Sequence, residues 1–139
     1  MQPASRKDIS LIMKPPVDTI RLGKQSRDHL IKLRRNTGIE NWNILCRWAF
    51  CASIKEPTIP PVVKMNLEEG VEMTWKVFAG ENADLYASLF ISRVSQDKPD
   101  AGDEELSGIL RDHIQRGLSY LASGTKTRSI GALIERWVV

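Results

Sequence analysis

One run of residues limits the fold more than any other. From Trp42 to Ile54 the chain reads WNILCRWAFCASI. Wound at about 100° per residue, these side chains leave no polar face, and a helix apolar on every side is buried on every side. The remaining elements must therefore wrap around it. In a chain of 139 residues, long enough for one domain with a real core, that demand points to a core shared between subunits. Arg47 is the single charge in the run. It is expected to be paired across an interface or to reach a phosphate, since an isolated buried ion is costly. Asn41 stands where its side chain can cap the helix.

The segment before it carries the charge. Between Arg21 and Arg35 stand six basic residues, Arg21, Lys24, Arg27, Lys32, Arg34 and Arg35, against Asp28 alone. The whole chain is only +3, so the rest is net negative. Such concentration is the footprint expected on nucleic acid, although charge runs are more often a solvated helix face. Gln25 or Ser26 opens a helix whose body is Arg27 to Arg35. Leu30 and Leu33 share its narrow inner face, and Lys24, Arg27, Lys32, Arg34 and Arg35 spread over a broad outer arc around Ile31. Asn36-Thr37-Gly38 ends it, with Gly38 suited to the left-handed position after a helix. Val17 to Leu22 alternates as a half-buried strand does. The order strand, basic helix, apolar helix resembles the ribbon-helix-helix arrangement of small dimeric DNA-binding proteins.

The rest divides simply. Met1 to Pro16 is an arm whose Arg6, Lys7 and Lys14 add phosphate contacts if it is ordered; residues 17–139 form a single domain. Lys55 to Lys64, with Pro57, Pro60 and Pro61, is an extended linker. Lys64 to Glu105 holds four basic and ten acidic residues, so this stretch is expected away from DNA, as a solvated face or a docking surface. Val71 to Phe78 alternates as a strand between Gly70 and Gly80. A helix follows from Asn82-Ala83-Asp84 to about Val94, with Leu85, Leu89 and Tyr86 inward, and Gln96 to Asp103 is a polar loop. The next helix, Asp103 to Ala122, has an apolar stripe of Leu106, Ile109, Leu110, Ile114, Leu118 and Leu121 and an acidic start that suits its dipole. Gly124 stops it. A last helix from about Thr127 carries Ile130, Leu133, Ile134, Trp137 and Val138 at helical spacing. The class is mainly α: a ribbon-helix-helix-like amino-terminal half, further helices and an oligomeric helical core.

Catalytic constellations are missing from the pattern. Cys46 and Cys51 are five apart, about 140° on a helix, so they make neither a redox pair nor a metal clamp and read as packing residues. His29 lies in the basic helix, where it can touch a phosphate, and His113 is expected on the exposed side of its helix. Nothing nearby in sequence supplies a nucleophile or third group. No phosphate-binding loop, metal-ligand spacing or cofactor motif is present. No apolar run reaches membrane-span length, and the amino terminus lacks a signal-peptide hydrophobic region, so a cytoplasmic location is expected. The tryptophans do not interleave with the basic run, which favours phosphate contact to duplex over base stacking.

IRLG, HLIKLRRNTGI and NWNILCRWAFCASI, followed by GVEMTWKVFAGENADLYASLF and the segment around HIQRGLSYL, resemble the DndE family of DNA sulfur-modification (phosphorothioation) proteins. The resemblance runs from about Ile20 to Leu121, and TGI…NILCR at Thr37 to Arg47 is its most specific part. It implies a system that replaces a non-bridging phosphate oxygen with sulfur. The implied partners are a cysteine desulfurase, a reductase-like sulfur-transfer subunit and an ATPase subunit. This chain would be the non-catalytic subunit, needing no cofactor, that holds double-stranded DNA, with nicked or distorted duplex as a favoured form. Arg21, Lys24, Arg27, Lys32, Arg34 and Arg35 would contact the backbone, and Gly23 would let a phosphate approach closely. A homo-oligomer is expected, a tetramer favoured over a dimer. The alternative is a ribbon-helix-helix repressor reading bases through Thr19 and Arg21. A weaker third is a scaffold whose basic face docks an acidic partner.

Overall fold

A computed structural model describes residues 14–123 apart from 63, 65 and 67. Arg6 and Lys7 of the arm, the stop at Gly124 and the helix expected from Thr127 lie outside the described residues. The elements run β1 (Thr19–Leu22), α1 (Lys24–Thr37), α2 (Trp42–Ile54), β2 (Val71–Thr74), α3 (Trp75–Ala79), α4 (Ala83–Asp97) and α5 (Leu106–Ser123). Single 3-10 turns precede α4 and α5, at Gly80–Asn82 and Asp103–Glu105. The chain is mainly helical, with one two-stranded sheet.

The apolar run forms α2 with the bounds that its sequence predicts. Leu45, Cys46, Ala49 and Phe50 are fully buried. Around Phe50 the rings of Phe78, Tyr86 and Phe90 stand edge-on at centroid distances of 6.0, 6.2 and 6.3 Å. Each such ring or leucine, taken from water, contributes about 2 kcal/mol. The stripe of α5 is buried as expected through Leu110, Ile114, Leu118 and Leu121, and α5 makes its largest contact with α2. His113 meets Ser53 while Gly117 meets Ala49, so the two helices run antiparallel. A Cβ at Gly117 would overlap the Ala49 carbonyl, so only glycine allows this approach. α1 rests on α5 through Leu30 and Leu33.

Burial of α2 on every side is not what the fold delivers. Ile44 and Trp48 are half-buried and Cys51 is exposed, and Val77, Leu85 and Leu89 are exposed hydrophobics. The α4 residues that turn inward are Ala87, Phe90, Arg93 and Val94, not Leu85 and Leu89, and the helix runs on to Asp97. Other boundaries move as well. α1 opens one or two residues earlier than Gln25 or Ser26, at Lys24 behind an extended Gly23, and Ser26 is buried. Asn41 does precede α2, but its side chain makes no capping hydrogen bond. Gly38 closes α1 with φ +76° and donates its N–H to the Arg34 carbonyl at 3.0 Å. The alternation after Gly70 stays a strand only to Thr74. There the Thr74 hydroxyl accepts the Val77 N–H at 3.2 Å and starts a short helix.

β1 and β2 pair antiparallel, Ile20 opposite Met73 and Arg21 opposite Glu72. The linker is held by two buried cations. Arg93 donates to the carbonyls of Ile54, Glu56 and Thr58 at 2.8, 2.6 and 2.7 Å. Arg116 donates to the carbonyls of Ser53 and Thr58 at 2.7 and 2.8 Å. These guanidiniums satisfy carbonyls left over at the negative end of α2.

Candidate nucleic-acid interface

Helical geometry sorts α1 cleanly. Ser26, Leu30, Leu33 and Thr37 are buried, while Lys24, Arg27, Lys32, Arg34 and Arg35 are all exposed. Arg21 is exposed on the outward side of β1 just before the helix. Ile31, 38% exposed, sits at the centre of the arc. The guanidinium of Arg34 lies 5.5 Å from the centroid of the Trp42 ring, a cation–π contact that fixes its direction without neutralising it.

The arc has two unequal halves. Strand pairing brings Glu72 beside Arg21, 3.4 Å between charged atoms. The turn before β2 brings Glu69 to Lys24 at 3.7 Å, and Arg27 donates to the Glu69 carbonyl at 3.3 Å. The acidic stretch is thus not held away from the basic one, as its separation along the chain suggests. It borders it, because β2 pairs with β1, the other strand among the described residues. All four side chains in the two ion pairs are more than half exposed, so each pair is worth about 0–1 kcal/mol and a competing anion can displace it. Lys32, Arg34 and Arg35 form no ion pair among the described residues. Gly23 departs from its expected role. It is buried, and the next N–H, that of Lys24, is already given to the Asn66 carbonyl at 3.0 Å.

In the ribbon-helix-helix arrangement β1 pairs with the same strand of a second chain; here it pairs with β2 of its own. Thr19 and Arg21 share the outer face of β1, but Thr19 is half-buried opposite Thr74 and Arg21 is engaged by Glu72.

The remaining candidates have structural positions. Burial and the nearby Lys32 push the pKa of His29 down, only partly opposed by Asp28, so it adds no cation to the arc at neutral pH. His113, expected on an exposed side, is fully buried. Its Nδ1 is 2.8 Å from the Ser53 hydroxyl, and its Nε2 is 3.3 Å from Asp97 Oδ2. Hydroxyl, imidazole and carboxylate thus come together from three helices, a grouping invisible at sequence separations of 60 and 16 residues. Ser53 is itself fully buried and accepts from Arg116 Nε at 2.9 Å. Its hydroxyl hydrogen therefore goes to His113, and the network ties α2 to α4 and α5. Burial raises the Cys46 thiol to about 12, which suits packing. Arg47 is half-buried. It donates to the Asn43 carbonyl at 3.4 Å and lies over Gly80. It lines a groove of about 480 Å³ with Ile44, Trp48, Cys51 and Tyr86. Among the described residues no group of side chains has the make-up of a metal site, and no helix is long and apolar enough to cross a membrane.

Fold and surface define a mainly helical protein, built around one apolar helix, that presents a cationic helix face to solvent. A family model described as "DNA sulphur modification protein DndE" matches residues 19–129. The chain belongs to the DndE family. Its fold is similar to the crystal structure of DndE from Escherichia coli B7A, involved in DNA phosphorothioation modification. The two share 21% identity at a TM-score of 0.59, over 78% of this chain and 99% of that one. A mutant DndE crystal structure, also described as involved in DNA phosphorothioation, matches at 18% identity and a TM-score of 0.58 over the same shares. No curated protein sequence matches.

Proposed function

We propose that this chain is the non-catalytic DNA-holding subunit of a phosphorothioation machinery, gripping the duplex backbone through the outer arc of α1 and Arg21. The observation that carries this reading is the arc itself: Lys24, Arg27, Lys32, Arg34 and Arg35, all turned to solvent from one rigid helix. Long cationic side chains suit phosphates and carry no base code. A backbone grip accepts any sequence, as a subunit presenting DNA to sulfur-transfer and ATPase subunits requires, and nicked duplex can bend to follow a short arc. The reading puts the protein in the cytoplasm with its DNA. The half-buried Ile44 and Trp48 of α2 and the exposed Leu85 and Leu89 of α4 support assembly as a homo-oligomer, a tetramer ahead of a dimer, since uncovered apolar side chains mark protein contacts.

The test is binding to intact, nicked and single-stranded DNA of two unrelated sequences across a salt series. Both duplexes should bind alike, with an affinity that falls steeply with salt, by a logarithmic slope of about 0.9 for each phosphate neutralised. Lys32→Ala with Arg35→Ala should flatten that slope by about 2. Lys24→Ala with Arg27→Ala should flatten it less, because Glu69 already engages both residues. Tight preference for one duplex would return the repressor reading to first place, and no binding to any form would favour the scaffold.

A further inference from the structure

Beside the cationic arc, side chains of α1 and α5 line a polar cavity of about 260 Å³. A cavity of about 150 Å³ takes a single six-membered ring, so this one has room for the fused rings of a purine. Each helix contributes a flat ring, His29 from α1 and Tyr120 from α5, both half-buried. Burial and the nearby Lys32 keep the imidazole neutral, which suits stacking on a base. Asp112 and Gln115 stand one turn apart on α5. Asp112 forms no ion pair among the described residues, and burial raises its pKa against the pull of Arg111. Gln115 Oε1 is buried without a hydrogen-bond partner, so a half-turn of the amide brings either its oxygen or its nitrogen to the cavity at little cost. Arg116 also lines the space, but its guanidinium is already spent on Ser53 and Thr58. The cavity repels a phosphate and asks for a neutral, planar ligand that brings N–H donors.

Its position names the ligand. Wound at about 100° per residue, Lys32 falls midway between Arg35 of the arc and His29 of the cavity. A nucleotide whose phosphate meets Lys32 therefore stands at the cavity's rim. Of the four bases, guanine alone offers two neighbouring N–H groups on its pairing edge, with a carbonyl beside them. A carboxylate accepts such a pair as a fork, the part that Asp112 can play, and the carbonyl suits the Gln115 amide. A paired base keeps that edge covered, so only a base turned out of the duplex can offer it. We propose that this cavity is a site for one unpaired base, guanine foremost, in DNA held by the arc. The site rests on the backbone-grip reading and adds to it. α1 holds phosphates of any sequence, and α5 inspects a base only where pairing is lost.

Binding of the full chain to four related duplexes, across a salt series, tests this. One is fully paired, and the others carry a single extra guanine, thymine or abasic residue at the same place. The unpaired guanine should bind about tenfold tighter than the abasic residue, within the range that stacking one base returns. Thymine, with one N–H on that edge, should gain less. Asp112→Asn keeps the shape but breaks the fork, and should bring the guanine-to-abasic ratio close to one. Those two DNAs carry equal charge, so the charge removed from the protein cancels in the ratio. His29→Ala should lower the gain for guanine and thymine alike. Equal binding of the guanine and abasic duplexes, with the steep salt dependence kept, would overturn the site and leave the backbone grip standing. A ratio undiminished in both variants would also overturn it, by placing the base elsewhere. No binding to any duplex would overturn both readings together.

Discussion

Gly117→Ala is expected to destabilise the chain by about 3 kcal/mol or more, lowering Tm by roughly 10 °C. A helical Gly-to-Ala change ordinarily gains about 1 kcal/mol through backbone entropy and propensity. Here the sign reverses, because the added Cβ would lie 2.7 Å from Ala49 Cα and closer still to its carbonyl. The neighbour is backbone inside α2, so it cannot swing aside. α5 must move away from α2, and that is the largest helix contact in the fold. The loosened pair would also stretch the His113–Ser53 contact one turn away. Gly108→Ala is the control on the same helix: its Cβ would meet only Arg111 NH2, at 3.6 Å, and should be neutral or stabilising. Urea unfolding of both variants decides the matter, and equal midpoints would mean that α2 and α5 do not approach as closely as drawn.

The sequence made α2 legible because a run apolar on every side leaves one solution, and the α5 stripe because five core residues repeat at helical spacing. The exposed arc of α1 could be read for the same reason, with Leu30 and Leu33 fixing which side is inside. What stayed hidden depended on partners far along the chain. Arg93 reads as a surface cation of α4, yet it is 7% exposed. Its burial is balanced by the carbonyls of Ile54, Glu56 and Thr58 and by Asp97, which a hydropathy pattern does not register. Leu85 and Leu89 then lose the inward position that their apolar character suggests. Glu72 opposes Arg21 only because two strands about fifty residues apart are paired. Some signal was present: Glu72 alternates outward between Val71 and Met73, so any partner strand would meet it on the same face as its own outward charge. Thr74 could have been read as a helix cap, since a threonine followed by an aromatic-rich helical turn meets that pattern as well as a strand's.

Arg93→Met is expected to cost about 3–5 kcal/mol at neutral pH, and to change how stability depends on pH. In the native chain Arg93 Nε is 2.8 Å from Asp97 Oδ2, both side chains being under a tenth exposed. His113 shares the same carboxylate oxygen. Around its ring stand Ser53 from α2, Arg93 and Asp97 from α4, and Arg116 from α5. Burial first, then the charges of Arg93 and Arg116, lower the His113 pKa to about 4, against the opposing pull of Asp97. A folded pKa below the unfolded 6.5 means that, between pH 6.5 and 4, the unfolded chain takes up a proton that the folded chain refuses. The stability contributed is complete above about pH 6.5 and is lost as pH falls toward 4, about 3 kcal/mol in all. Removing Arg93 deletes one of the two cations that hold His113 neutral and leaves Asp97 without its closest partner. The imidazolium then becomes the counter-ion that the buried carboxylate needs, so the His113 pKa rises. The native chain should therefore weaken on acidification to pH 5 by more than the variant does, and the gap between their unfolding free energies should narrow by about 1 kcal/mol or more. Taking the difference cancels the surface carboxylates common to both chains. Parallel stability curves from pH 7.5 to 5 would mean that His113 and Arg93 do not compete for Asp97, and the buried network would then have to be redrawn.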